Sequence, residues 1–542
     1  MHAGGRVHDQ GLPSTTLKTK NRRVTSFINQ LSSDDYLRLR DYYERAKNHS
    51  NFRPHSKHKI GLVGDSGAGK SSLINSLLDT CKHPIARATD GGRACTCVVT
   101  EYHYHADDDF MIEVEMFSEE ELHEQLAELL GAYKAFESGD DTESKDKAQL
   151  AIDTFRSMFR GKLQDEHFIL EAPESAVLET FKTLVKEALR AGPPSRQICR
   201  TLEECSSVLL PLSSEPHDPK EFSVWPYVRK MKVHLKSHVL SKGLILIDLP
   251  GLRDLNSARR NVTQRYLWGR NCHQIFAVCE IKRAETDPGV KTVLEIAPQA
   301  HLGRVGIICT NSDLINFNEL GREFNEREAG RIIEMNRSLS DIERDIPDNE
   351  TELANFQDSS SRDAATRDMR TDLLDEHMTL ITRRKAIEYH RLKFAVMTKN
   401  RSVIHGVRRE HQGRASGGSL HVFCVSNKLY QDNRDLDISV SERYLRLSGI
   451  IELRRHVMSL VGESQLEVST NFVDHEVPVL LRDIEFWAQH GAGTSSAEQQ
   501  QAVRRLLDEF ESDLRDPHMP PGFATMEIGI QMQRNGAIGT RR

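Results

Sequence analysis

The stretch GLVGDSGAGKSSLIN, Gly61 to Asn75, decides the fold. Its centre, GDSGAGKS, satisfies G-x-x-x-x-G-K-[ST] with Gly64, Gly69, Lys70 and Ser71 in the required places. Glycines at 64, 67 and 69 let successive backbone N–H groups face an anion, Lys70 reaches the outer phosphates, and the Ser71 hydroxyl suits a magnesium ion. Asp65, Ser66, Ala68 and Ser72 complete the candidate phosphate-binding loop. HKIGLVG before it reads as an apolar strand, Lys59 to Val63 at its core, and KSSLINSLLDT after it reads as an apolar-periodic helix. Strand, loop and helix in that order are what a true phosphate loop requires.

Outward from this stretch, short apolar strands recur: MKVHLKSH, GLILIDLPG, HQIFAVCEI, RVGIICTNSD and LHVFCVS, separated by helical stretches. This alternation predicts an α/β fold, a P-loop domain with a mostly parallel, doubly wound sheet. CVVTEYHYH and MIEVEMF, joined by the acidic turn Asp107 to Asp109, read as a hairpin, after which the sheet pauses for about a hundred residues. That pause, about 118–220, reads as a helical insertion: Ser118 and Glu121 form a capping box, and Val177, Phe181, Leu184 and Ala188 stripe a further helix ended by AGPP. A second insertion, about 318–412, carries Ile332, Leu339 and Ile346, then Leu373, Leu380, Ile387 and Phe394, at spacings of seven. Two long coiled-coil-like helices are expected there, with the polar segment 347–363 as their turn. The expected domains are a disordered start, 1–24; a bundle helix within 25–57, ended by Pro54; the P-loop domain, 58–463, closed by the helix SGIIELRRHVMSLV; and a helical segment, 464–542, as a partial stalk.

The bulk properties narrow the partners. The 542 residues, 38% hydrophobic, suffice for a large buried core, and a net charge of −7 argues against general attraction to nucleic acid or anionic membrane. Nine cysteines lie scattered, several inside apolar runs, where they read as small buried hydrophobes in a reducing compartment. The N-terminus lacks the apolar stretch of a signal peptide, and no segment approaches the roughly 18 apolar residues of a membrane span. A nuclear or cytoplasmic protein is expected. Cys95, Cys97, His103 and His105 hold enough ligands for zinc, but their spacing is that of strand alternation.

Asp248 closes an apolar strand in LILIDLPG; an acid there can hold magnesium through water, and Gly251 lets its N–H approach a terminal phosphate. For the base, Asp313 in TNSD, Thr310 to Asp313, offers a carboxylate that accepts two N–H bonds from guanine, where adenine would present an acceptor. CVSNK follows the later strand, and Ser426 and Asn427 can supply contacts to the same base.

GDSGAGKSSLIN, IDLPGLRD, TNSD and FCVSNKLY, in that order with large helical insertions, resemble the dynamin-like large GTPases. FSVWPYVRKMKVHL, GLILIDLPGLRDLNSARRNVTQRYL and SGIIELRRHV look most like the branch of germinal-centre-associated nuclear GTPases and their fungal relatives. The resemblance implies magnesium-dependent GTP hydrolysis and nucleotide-dependent pairing of GTPase domains. It also implies a switch threonine: Thr96 best matches the pattern, with Thr89 and Thr100 as alternatives, and Arg87 and Arg93 flank the same segment. Three positions depart from common patterns. Asn311 replaces the lysine that packs on the base, Gly67 stands where dynamins carry a transition-state residue, and Leu252 follows Gly251 where Ras-like proteins place a glutamine. Dynamin-like proteins lack that glutamine too. Two rivals stay open: a GTP-binding interaction module with little hydrolysis that contacts partners through its helical insertions, and an ATPase of similar topology.

Overall fold

Strand β1 (His58–Val63) lies inside the sheet because both its faces are apolar, with Ile60 and Leu62 on one side and Val63 on the other. The computed structural model describes residues 33–54, 57–86, 97–137, 145–160, 162, 167–214, 222–252, 257–269, 271–300, 302, 304–317, 324–357, 364–411 and 420–487. After β1 come α1's successor and the remaining strands in one chain order, α1 itself being Ser33–Ser50. They are α2 (Lys70–Leu78), β2 (Thr100–Tyr104), β3 (Phe110–Met116), α3 (Glu119–Glu137), α4 (Lys145–Met158), α5 (His167–Glu171), α6 (Glu174–Arg190), β4 (Arg196–Cys199) and α7 (Leu202–Ser213). There follow β5 (Val228–Leu235), β6 (Leu244–Asp248), α8 (Ser257–Trp268), β7 (Gln274–Glu280), α9 (Pro288–Gln299), β8 (Arg304–Thr310), α10 (Glu326–Gln357), α11 (Ala364–His411) and β9 (His421–Cys424). The last helices are α12 (Asn427–Asn433), α13 (Ile438–Leu447), α14 (Ile450–Asn471) and α15 (Val477–Phe486).

The nine strands form one mixed, mostly parallel sheet in the order β4-β3-β5-β2-β6-β1-β7-β8-β9. From β6 to β9 every pairing is parallel, and LILID is buried along its whole length, as strands covered on both faces must be. One apolar core, around Leu73, Ile74, Leu77 and Leu246, packs α2 on one face; another, around Ile247, Leu267, Ile275 and Val290, packs α8 and α9 on the other.

The expected hairpin is corrected. β2 and β3 are not neighbours: β5 lies between them, parallel to β2 and antiparallel to β3. Charge explains the choice. β2 and β3 both carry acids on one face, and β5 brings Lys230 to Glu101 at 3.8 Å and to Glu115 at 3.5 Å, and Lys232 to Glu113 at 3.4 Å. Opposite charges across a ladder stabilise pairing and like charges disfavour it. Nor does the sheet pause through the first insertion, because β4 pairs antiparallel with β3. RQIC is too short to display a period.

The helices of that insertion enclose a core of their own around Phe155, Phe159, Phe181 and Tyr227. The capping box at α3 forms, with Ser118 N–H donating to Glu121 at 2.9 Å and Glu121 N–H to Ser118 at 3.2 Å. α10 and α11 make the antiparallel helix pair, joined by Asn349 Nδ2 to the Leu373 carbonyl at 3.3 Å and Arg391 to Asn336 at 2.8 Å. The segment assigned to the turn is mostly helix. α10 runs through Pro347 to Gln357, because Ile342, Ile346 and Asn349 stay buried while Pro347 faces out, where water can satisfy the carbonyl its ring leaves unbonded.

The chain divides into two compact units, 57–461 and a smaller one from 1–56 with 462–542. In the smaller unit α1 meets α15, where Arg45 pairs with Asp483 at 3.1 Å, and the flanking residues add Phe52 stacked on Phe472 at 3.7 Å and Tyr42 against Trp487 at 6.0 Å. The segments 1–24 and 488–542 lie outside the described residues.

Candidate functional site

The glycine loop leaves β1 under tight constraint. A Cβ at Gly64 would stand 2.4 Å from the Val278 carbonyl oxygen of β7, a contact side chains do not make. Gly67 and Gly69 have φ of 82° and 80°, the left-handed region that glycine enters without cost. Ala68 N–H donates to the Asp65 carbonyl at 3.1 Å, and Leu73 N–H to Gly69 at 2.9 Å, starting α2. The first N–H groups of a helix lack intrahelical partners and carry the positive end of its dipole. Ser66 and Gly67 are exposed at the lip, and Ser71 and Ser72 half-buried on the first turn.

Lys70 and Asp248 close the floor. Their charged atoms stand 3.4 Å apart, with the residues 8% and 4% exposed. Strand alternation puts Asp248 with Leu244 and Leu246 on the face that packs α2, and its register partners are Leu62 and Thr100. Burial, and then the Asp248 carboxylate, push the neighbouring Tyr102 hydroxyl well above its ordinary range, so it stays protonated. Gly251 and Leu252 are buried just beyond. Thr100 begins β2, with its hydroxyl 3.5 Å from the Val98 carbonyl. Thr96, Thr89, Arg87, Arg93 and Cys95 lie outside the described residues.

The loops that follow β8 and β9 are tied to the glycine loop. Thr310 Oγ1 donates to the Ala68 carbonyl at 2.8 Å and lies 3.2 Å from that of Cys279, while Asn427 Nδ2 reaches the Gly69 carbonyl at 3.5 Å. Ser312 N–H donates to Val425 at 3.1 Å, joining the loops to each other. Asp313 is half-buried, and Ser426 caps α12 by accepting from Leu429 N–H at 3.0 Å. The candidate residues of all four stretches therefore converge at the C-terminal ends of the parallel strands, where open α/β sheets form their binding crevice.

Two residues beside these loops, Glu280 and Thr263, escaped the sequence reading. Asn311, at φ 60°, donates through Nδ2 to Glu280 at 3.1 Å. Glu280 ends the apolar strand β7 as Asp248 ends β6, so the same strand-end logic would have found it. Thr263 on α8 donates to the Pro250 carbonyl at 2.8 Å, and nothing local in the sequence signals it. The zinc candidates have other partners: His103 meets Glu101 at 2.9 Å, His105 meets Asp109 at 2.7 Å, and Cys97 is buried in the core.

Comparison with known proteins finds relatives for part of the chain. Residues 60–300 match the model of the dynamin family. Two curated relatives, the nuclear GTPase SLIP-GC of Mus musculus and of Homo sapiens, are 22% identical over 279 residues and 23% over 287. These matches cover 49% and 50% of this chain and 33% and 34% of the relatives, about a third of their length. A solved structure of an oligomerised bacterial dynamin pair, described as a mechanism for long-range membrane sensing and tethering, covers 99% of this chain and 66% of its own at 14% identity and a TM-score of 0.36. A second structure of such a pair covers 94% and 54% at 15% identity and the same TM-score, 0.36. The chain is related to the dynamin-like GTPases. Among the described residues no helix is long and apolar enough to cross a membrane.

Proposed function

We propose that the chain is a magnesium-dependent GTPase that hydrolyses GTP to GDP and phosphate. The observation that carries this reading is the buried Lys70–Asp248 pair, 3.4 Å apart, beside a glycine loop to which the base-side loops are hydrogen-bonded. In this reading the amides of 64–72 cradle the phosphates, and Lys70 exchanges Asp248 for the charge that develops on them. The Gly251 N–H faces the terminal phosphate. Asp313 accepts the guanine N–H edge, with Thr310, Asn311, Ser426 and Asn427 lining the base side. A hydroxyl at Ser71 and a carboxylate at Asp248, both hard oxygen donors, fit magnesium, and Thr96 would add a third. When bound, the ion would neutralise phosphate charge.

Pairing of GTPase domains would raise turnover, and the helical insertions would contact protein partners; nuclear or cytoplasmic residence fits, the relatives' name favouring the nucleus. The test is phosphate release from GTP across a wide range of protein concentrations, with ATP as control. Lys70→Ala should reduce turnover at least about a hundredfold. Specific turnover that rises with concentration supports pairing, and equal use of ATP would sink the guanine assignment.

A GTP-binding module with little hydrolysis is the second reading. Gly67 offers no side chain, with nothing within 4 Å of where a Cβ would stand, and the Asn311 amide is engaged by Glu280. Wild-type turnover no higher than that of Lys70→Ala would favour it.

A further inference from the structure

Threonines within helices usually return their hydroxyl to the carbonyl four residues back. Thr154, Thr180, Thr183 and Thr292 do so here, at 2.7–3.0 Å. Thr263 does something else. It is fully buried in the middle of α8, and its hydroxyl donates at 2.8 Å to the Pro250 carbonyl, outside the helix.

That carbonyl belongs to the same peptide unit as the Gly251 N–H. Among the described residues no peptide bond is cis, so C=O and N–H of this unit point in opposite directions. Holding the Pro250 oxygen against α8 therefore turns the Gly251 N–H away from α8. Tyr266 and Leu267 of α8 belong to the core on one face of the sheet, and α2 packs on the other, the face shared by Asp248. The N–H is thus aimed off the α8 face.

The joint needs such a hold. Leu249 N–H is bonded to the Leu62 carbonyl at 3.1 Å, which extends the β6 pairing, and the Pro250 ring fixes its own φ. The unit 250–251 is the first free joint of the loop, and glycine on its far side permits it to flip. α8 is itself a firm anchor: Tyr266 donates to Glu101 at 2.6 Å, Arg265 to Gln125 at 3.0 Å, and Leu267 is fully buried.

We infer that Thr263 is a positioning residue for GTP hydrolysis, a latch that fixes the Pro250–Gly251 peptide so that the Gly251 N–H is presented to the terminal phosphate. The inference rests on the guanine-nucleotide reading of the site and makes a demand that reading does not. Removal of the latch should hurt recognition of the third phosphate and spare the first two.

The experiment is calorimetric titration of the full chain with GDP and with GTPγS, in magnesium, alongside phosphate release from GTP. Thr263→Val should weaken GTPγS about tenfold, leave GDP within about twofold, and slow turnover by at least about tenfold, as loss of one hydrogen bond to a charged group predicts. Thr263→Ser should restore the wild-type ratio of the two affinities. Should the valine variant melt early, Thr263→Ala repeats the test, and hydrogen exchange at the wild-type Gly251 amide supplies an independent one: slowed by GTPγS and not by GDP. An unchanged affinity ratio in the variants, an equal loss of both nucleotides, or Gly251 exchange indifferent to the third phosphate overturns the latch. Wild-type protein that binds neither nucleotide overturns the guanine reading itself, a separate and visible failure.

Discussion

The two halves of the sheet are specified by different physics. From β6 to β9 the strands are parallel, apolar on both faces, and held in place by shape, as at Gly64 against the Val278 carbonyl. From β4 to β2 one face is a charged ladder, in which Glu101, Glu113 and Glu115 alternate with Lys230 and Lys232 across three strands. A half built on shape tolerates little added volume and, apart from the Lys70–Asp248 pair at its end, should respond weakly to pH and salt; a half built on charge should behave the opposite way.

The largest expected effect tests the first half. Gly64→Ala sets its methyl 2.4 Å from a backbone oxygen that cannot step aside, so a loss of about 4 kcal/mol is expected, with nucleotide binding lost as well. A variant that melts like wild type in urea and still binds GTPγS would break the idea that shape rules there.

Acid tests the other half. Burial works to raise the Glu101 carboxyl, but hydrogen bonds from His103 and Tyr266 and the charges of Lys59 and Lys230 outweigh it, and its pKa falls from 4.5 to about 2. A carboxyl whose folded pKa is depressed adds stability that is complete above its unfolded value and disappears as pH falls through its folded one. The contribution, on the order of 3 kcal/mol, should be intact above about pH 5 and mostly gone near pH 2. Urea melts of wild type and Glu101→Gln should show a gap that closes over this window. A gap that ignores pH would remove charge as the organiser of this half.

The smallest effect lies on the same ladder. Lys232 and Glu113 are about a third exposed, so Lys232→Ala should cost only about 0.5 kcal/mol at low salt and less at high salt. A cost unaffected by salt would point to packing of the lysine stem instead.

The same division explains what could be read in advance. Along the shape-built half, GLILID, QIFAVCE and RVGIICT announce themselves as buried strands, and the glycine loop and Asp248 follow from motif and strand end. Across the charge-built half, alternation identifies β2 and β3 as strands but cannot name the neighbour of either; that depended on Lys230 and Lys232, more than a hundred residues along the chain. β4 was invisible at four residues. At the candidate site, the places of Asp313 and Asn427 were legible because they follow strands, whereas the partner of the Thr263 hydroxyl is a carbonyl 13 residues earlier that only folding brings beside it.

The long helix α11 has a mechanical consequence. Near its C-terminal end Lys399 Nζ donates to the Leu314 carbonyl at 2.9 Å, one residue beyond Asp313. From that contact back to Ala364 the helix extends roughly 50 Å at about 1.5 Å per residue. A tilt of about 5° at the fulcrum would carry the far end some 4 Å sideways, a gain in amplitude that a rigid rod of this length supplies by lever arithmetic alone.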